Sequence, residues 1–179
     1  MDWSRDGRHL LLLSEATRGS NSSDIWVYDF KEKSARPWLQ TKFDEKQARF
    51  SPDGKWVAYS SNANGPMEIY VRPFKGEGDA ILVSSAGGVH PIWRADGREL
   101  FYLSPKDELM VVSVLNSGTN IKFEEPQRLF KAEVNDIAIT VASPYDVAPD
   151  GQRFLVNMPE PPEPLLFIQG IDKLLKRGQ

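Results

Sequence analysis

The stretch Phe50-Ser51-Pro52-Asp53-Gly54 is followed by Lys55 and then by the β-prone run Trp56-Val57-Ala58-Tyr59. Three other segments repeat its pattern in the same register: Trp3-Ser4-Arg5-Asp6-Gly7, Trp93-Arg94-Ala95-Asp96-Gly97 and Val147-Ala148-Pro149-Asp150-Gly151. A large apolar residue lies three positions before the aspartate in every copy. Because four copies agree in register, the chain is built from an internal repeat.

Each Asp-Gly pair predicts a tight turn between two strands. Glycine adopts positive φ without steric cost, and an aspartate side chain accepts hydrogen bonds from nearby backbone N–H groups. We therefore assign a structural turn role to Asp6, Gly7, Asp53, Gly54, Asp96, Gly97, Asp150 and Gly151. Successive aspartates are 47, 43 and 54 positions apart, which brackets the period of about 40–50 residues expected of four-stranded repeat units.

A β-rich run follows each turn, and further β-prone segments follow later polar turns. Second strands are predicted at residues 10–13, 56–59, 100–103 and 154–156, and third strands at 25–28, 69–71, 109–114 and 165–168. Weaker fourth strands are predicted at 36–39, 80–83 and 127–130. The pattern indicates an all-β chain of antiparallel four-stranded units, with residues 159–164 as a proline-rich connector.

Three segments of the second repeat carry a family resemblance. The turn Phe50-Ser51-Pro52-Asp53-Gly54 and the strands Val57-Ala58-Tyr59-Ser60 and Ile69-Tyr70-Val71 resemble the WD40-like PD40 repeat of the TolB family. The resemblance spans essentially the whole chain. It implies a single β-propeller region of about four four-stranded blades, at approximately 1–43, 44–87, 88–133 and 134–179.

Closure of this propeller leaves several possibilities open. The TolB family implies six blades, so we expect the chain to be part of a larger propeller. The alternatives are a homodimer formed through open blade edges, capping by a C-terminal segment at residues 171–177, and an unusual four-bladed ring.

Composition excludes several classes of function. The formal net charge of −3 and the pI near 5.5 argue against nucleic-acid binding, which draws on clustered Lys and Arg. The absence of cysteine excludes disulfides and thiolate metal sites. The longest apolar run, residues 10–13, is too short to insert into a membrane, and no signal peptide is evident in the chain.

The sequence offers no catalytic apparatus. It contains no Gly-x-Ser-x-Gly nucleophile elbow, and its two histidines, His9 and His90, are too far apart in sequence to form a spaced metal-ligand motif. We expect His9 to be a solvated loop residue. We therefore predict that the chain is not an enzyme and uses neither a metal nor a cofactor.

The candidate binding residues follow from propeller topology, in which the first strand of each blade lines the central channel. Residues entering that strand lie at the channel mouth, and these are Gln47, Arg49, His90, Tyr145 and Asp146. The alternative is that these residues only turn the chain between blades. Of the tryptophans, we expect Trp3, Trp26, Trp56 and Trp93 in the core and Trp38 at the surface.

These observations predict a non-enzymatic module that binds or scaffolds a protein or peptide. The TolB resemblance implies a bacterial periplasmic or other extracytoplasmic location. One alternative comes from the final repeat, Tyr145-Asp146-Val147-Ala148-Pro149-Asp150-Gly151, which resembles the closing blade of propellers attached to bacterial serine/threonine kinases and implies a sensor or regulatory domain. Another is the gating propeller of a prolyl-oligopeptidase-like peptidase.

Overall fold

The computed structural model describes residues 1–14, 22–76, 78–117, 120–132, 134, 143–158 and 166–168. Within these residues the chain forms β-strands and no helix, so the all-β prediction is confirmed. The chain divides into two compact units, Met1–Pro91 and Ile92–Gln179. The predicted segments at 159–164 and 171–177 lie outside the described residues.

The first unit contains two four-stranded antiparallel sheets of consecutive strands. The first sheet consists of β1 (Asp2–Trp3), β2 (His9–Ser14), β3 (Asp24–Asp29) and β4 (Ser34–Leu39). The second consists of β5 (Glu45–Phe50), β6 (Trp56–Ser61), β7 (Glu68–Pro73) and β8 (Ile81–Leu82). Each sheet is the meander that the repeat predicts.

The third sheet differs from the predicted four strands. It consists of β9 (Val89–Trp93), β10 (Glu99–Leu103), β11 (Glu108–Ser117), β12 (Asn120–Phe123) and β13 (Gln127–Lys131). The ten-residue β11 pairs with β13 at its start and with β12 at its end. The extra strand β12 arises because β11 extends beyond the part that β13 pairs with.

The fourth sheet contains β14 (Tyr145–Val147), β15 (Phe154–Val156) and β16 (Leu166–Ile168) in that order. The strands of the four sheets fall within the ranges 1–43, 44–87, 88–133 and 134–179. The blade limits themselves stay a prediction.

The Asp-Gly turns share one geometry. Gly7, Gly54, Gly97 and Gly151 have φ between 69° and 74°. In the second turn, Asp53 Oδ1 accepts hydrogen bonds from Ser51 Oγ at 2.6 Å and from Lys55 N at 3.1 Å. The first turn repeats these contacts with Ser4, Asp6 and Arg8, and the Ser4 hydroxyl is the main reason that the pKa of Asp6 is lowered.

The core of the first unit lies between its two sheets. Leu11, Ile25 and Val27 of the first sheet form one buried cluster with residues of the second sheet and the residue that follows β7. The latter group consists of Ala48, Phe50, Val57, Tyr59, Tyr70 and Phe74. Face-to-face packing of apolar sheet surfaces therefore holds this unit together.

The tryptophan prediction was wrong at Trp3, and Trp26 and Trp38 are both half-buried. Trp3 is 56% exposed because it lies on the face of the first sheet that is directed away from this cluster. Trp38 packs against the cluster, donates from Nε1 to the Phe74 carbonyl at 3.0 Å and contacts the Tyr59 ring edge-on. Trp56 and Trp93 are buried.

Replacing Gly54 with valine tests the turn. Space is not the obstacle, since a Cβ at Gly54 would meet nothing within 4 Å. The φ of 69° is the obstacle, and we expect Gly54→Val to lower the free energy of unfolding by about 1–2 kcal/mol. Gly54→Asn is the matched control because asparagine tolerates this conformation. Equal urea midpoints for wild type and Gly54→Val would contradict the turn assignment.

Candidate functional site

Gln47 and His90 occupy the same position of successive repeats, six residues before Asp53 and Asp96. Gln47 lies in β5 and His90 in β9, and both have positive φ, 58° and 56°. Among the described residues, the other non-glycine residues with positive φ are Lys33 and Asp107, and those lie outside strands. A left-handed conformation costs an L-residue roughly 1–2 kcal/mol, so two strand residues hold local strain.

A β-bulge accounts for the conformation of Gln47. The register of β5 with β6 passes from Lys46 opposite Ser60 to Arg49 opposite Ala58. Two residues of β5 therefore face a single residue of β6. A bulge of this kind re-aims side chains and often occurs beside functional sites.

Hydrogen bonds lock the two strained residues together. Gln47 Oε1 accepts from the His90 backbone N–H at 2.8 Å and from Ser60 Oγ at 2.8 Å. With the oxygen placed in this way, the Gln47 amide nitrogen lies 2.9 Å from His90 Nε2. An amide nitrogen only donates, so His90 Nε2 is the acceptor and the neutral ring carries its proton on Nδ1.

We call Gln47, Ser60 and His90 the Gln47–His90 site. His90 is 5% exposed and Ser60 is fully buried, whereas Gln47 is half-buried. His90 and Ser60 therefore position Gln47, and Gln47 is the member able to contact a ligand. Nothing in the sequence around Ser60 indicates this role, because it is one of several serines at strand positions.

Arg49 ties the first two sheets together. Its Nη1 donates to the Met1 carbonyl at 2.9 Å and lies 3.6 Å from Asp2 Oδ1. Asp2 Oδ2 also accepts from Phe50 N at 2.8 Å. Burial raises the pKa of Asp2, although the Phe50 N–H and the Arg49 charge oppose this shift.

Tyr145 and Asp146 lie in β14 of the second unit. Tyr145 is 3% exposed. Asp146 is exposed, and its Oδ1 accepts from Val147 N at 2.8 Å. Of the five predicted binding residues, the structure brings Gln47 and His90 into direct contact and places Arg49 on the same strand as Gln47.

His9 is not the solvated residue that we expected. It is 5% exposed on β2, with Nε2 3.3 Å from Asp29 Oδ2 and its ring edge against Phe74. It is buried because the side of β2 that carries it faces the second sheet. The Arg8 guanidinium is the main reason that the pKa of Asp29 is well below its usual range.

The sequence analysis also did not predict two buried carboxylates. Glu45 is 2% exposed and accepts from Thr41 Oγ1 at 2.5 Å, while Asp24 accepts from Gln40 at 2.9 Å. Burial is the main cause that raises the pKa of Glu45, and the charges of Asp24 and Asp44 add to it.

The described residues contain neither a metal-ligand cluster nor a membrane-spanning helix. Over those residues, His, Asp and Glu side chains form no group of three or more suited to hold a metal ion. A search of the same residues finds no helix long and apolar enough to cross a membrane.

The first half of the chain matches a known protein family. The family described as "Dipeptidyl peptidase IV (DPP IV) N-terminal region" matches residues 4–93, half of the chain. The chain belongs to this family. The match covers the first two repeats and the Gln47–His90 site.

Two curated relatives share part of this chain. It is 29% identical over 85 residues to the uncharacterized peptidase YuxL of Bacillus subtilis. The aligned region covers 46% of this chain and 13% of that protein. It is also 29% identical over 92 residues to the Tol-Pal system protein TolB of Anaeromyxobacter dehalogenans. This second aligned region covers 51% of this chain and 20% of that protein. The chain thus matches a fifth or less of either relative.

The solved structure of TolB from Acinetobacter baumannii covers 94% of this chain and 39% of its own chain, with a TM-score of 0.67 and 16% identity. At that identity the likeness shows the fold alone. The β-propeller fold class and the TolB-like resemblance of the repeat are confirmed.

The raised pKa of Glu45 predicts a pH-dependent stability. The folded chain binds the Glu45 proton more tightly than the unfolded chain, so this contribution to stability is lost as pH rises through the folded pKa. We expect the free energy of unfolding of Glu45→Gln, relative to that of wild type, to increase as the pH rises from 4 to 7. The exposed Glu32→Gln is the control, and urea unfolding at several pH values is the measurement. A difference that stays constant with pH, or shrinks as pH rises, would refute the assignment.

Proposed function

We propose that this chain is a non-catalytic propeller module that binds a protein or peptide segment at the Gln47–His90 site. The observation that carries the proposal is the pair of strained residues at equivalent repeat positions. Strain of this kind persists only where the surrounding structure enforces it, and it clusters at ligand clamps and active sites. The Ser60 and His90 contacts to Gln47 supply that enforcement.

The neighbourhood of Gln47 on β5 favours a polar ligand segment. Lys46 and Arg49 flank Gln47 on the same strand, and their side chains are 39% and 30% exposed. Lys46 lies 3.7 Å from Asp44 and Arg49 lies 3.6 Å from Asp2, so both charges are partly balanced. The site therefore offers an amide and mixed charges, which suit backbone and side-chain hydrogen bonds of a peptide.

Asparagine substitutions test the site without changing the backbone strain, because asparagine tolerates positive φ. Peptides would be selected from a random display library against the wild-type chain, and binding of the best peptide measured by calorimetry. We expect Gln47→Asn and His90→Asn each to weaken binding about tenfold or more, as loss of a central contact does.

The exposed Arg98→Ala serves as the control for that experiment, since its side chain is 81% exposed. Thermal melting checks that each variant folds. Unchanged affinity in both asparagine variants, with melting curves intact, would rule out the Gln47–His90 site as the binding surface.

The family match and the peptidase relative favour a second candidate, a propeller region that governs peptide access in a longer peptidase. For either candidate we propose an extracytoplasmic, periplasmic location, which the TolB resemblance implies. The kinase-linked alternative stays a prediction from the final repeat.

Expression of the whole open reading frame separates these candidates. The leading proposal predicts that its product occurs in the periplasmic fraction and does not release the fluorophore from a Gly-Pro-coumarin dipeptide. Release by the longer product and not by this chain would favour the peptidase candidate. A product confined to the cytoplasmic fraction would contradict the proposed location.

A further inference from the structure

The bulge in β5 keeps the Gln47 side chain out of the apolar core. Lys46 lies opposite Ser60, and Phe50 lies opposite Val57, which belongs to the buried cluster between the first two sheets. Since side chains of a regular strand alternate between the two faces, an unbroken register from Lys46 would direct Gln47 to the core face. The extra residue of the bulge instead lets Gln47 bond to the buried Ser60 hydroxyl on the opposite face. The bulge therefore selects the face on which this amide is presented.

A backbone donor fixes the orientation of the Gln47 amide. The His90 backbone N–H can only donate, so the amide atom 2.8 Å from it is the oxygen. The reverse orientation would set two N–H donors against each other. The Ser60 hydroxyl lies 2.8 Å from the same oxygen and donates to it. A carbonyl oxygen has two lone pairs, so these two donors fill its capacity to accept.

The side chains of Gln47 and His90 consequently offer a ligand donors and no acceptor. The Gln47 amide nitrogen carries two N–H groups, and it lies 2.9 Å from His90 Nε2, which accepts from one of them. The neutral His90 ring carries its proton on Nδ1 and has no second acceptor. Gln47 is the half-buried member of the site, whereas His90 is buried. A ligand that bonds to the Gln47 amide must therefore do so through an N–H group.

The neighbouring charges impose no strong preference of their own. The side chain of Lys46 is 39% exposed, and its Nζ lies 3.7 Å from Asp44 Oδ2. Arg49 is 30% exposed and lies 3.6 Å from Asp2 Oδ1. Partly exposed pairs of opposite charge are screened by solvent and contribute little. Hydrogen-bond polarity, rather than net charge, therefore decides which chemical group suits this site.

We propose that the Gln47–His90 site recognises an oxygen acceptor of the bound segment, a main-chain carbonyl or a carboxylate, through the Gln47 amide N–H. This inference rests on the proposed function and adds the chemical class of the group that the site takes. A donor such as an ammonium is rejected because it would meet N–H groups. Polar atoms that are buried without a partner make such a mismatch costly.

Small probes test this polarity without a peptide ligand. Dimethylacetamide presents a carbonyl acceptor and no donor, acetate presents a carboxylate, and ethylammonium presents donors and no acceptor. Fragments of this size bind with a Kd of roughly 1–100 mM, which a nuclear magnetic resonance titration of the Gln47 side-chain N–H signals measures. We expect at least one acceptor probe to bind about tenfold or more tightly than ethylammonium. Sodium chloride at equal ionic strength is the reference for the two charged probes.

The substitution Gln47→Glu removes the donor at nearly constant shape, because it replaces the amide nitrogen with an oxygen. We expect the acceptor probes to bind this variant about tenfold or more weakly and ethylammonium to bind it more tightly, with the His90 backbone N–H signal as the readout. Gln127→Glu is the matched control, since it makes the same change of charge at an exposed position of β13. Its response to each probe should equal that of wild type. Thermal melting checks that both variants fold, and the wild-type titration decides alone if Gln47→Glu does not.

The outcomes separate the acceptor class from the proposed function. A response to dimethylacetamide alone indicates a main-chain carbonyl, a response to acetate alone indicates a carboxylate, and either response, or both, supports the proposal. No response to either acceptor, or an equal or stronger response to ethylammonium, overturns it. Peptide binding that is lost in Gln47→Asn would then still uphold the proposed function. Conversely, unchanged peptide affinity in both asparagine variants would reject the proposed function whatever the probes show.

Discussion

Face-to-face burial of apolar sheets is the constraint on which this structure depends. The strand β6 shows it most clearly, because all six of its residues, Trp56–Ser61, are buried. A large apolar side chain contributes roughly 1.5–3 kcal/mol when it leaves water, and a sheet with apolar residues on both faces gains this only between two neighbours. The cluster of Leu11, Ile25 and Val27 with the second sheet buries one of those faces inside the first unit.

The same constraint explains how the strained pair at Gln47 and His90 is maintained. The second sheet packs against the first, and His90 is bonded to Gln47, so a bulge in β5 and a left-handed residue in β9 persist despite their local cost. The buried hydroxyl of Ser60 and the His90 N–H complete the bonds of the Gln47 amide oxygen. Local strain, buried polar partners and a half-exposed amide are thus consequences of one packing arrangement.

Local chemistry was predictable and long-range packing was not. The Asp-Gly turns follow from φ preferences and side-chain acceptors within a few residues, so the register of the repeat predicted them. The strand β12 was missed because its four residues become a strand only by pairing with the long β11. Trp3 and His9 were misjudged because burial depends on which neighbouring sheet each side chain meets.

The sequence by itself determined the repeat, the all-β class, the positions of the four turns and the two repeat positions that became the Gln47–His90 site. These are properties of residue type and spacing, which act over a few bonds of the chain. Only the tertiary structure decided that Gln47 contacts His90, that Arg49 instead ties β5 to β1, and which sheet faces are buried. Those outcomes depend on contacts between residues more than 40 positions apart, such as Gln47 with His90 and Asp2 with Phe50, whose distances the linear pattern does not fix.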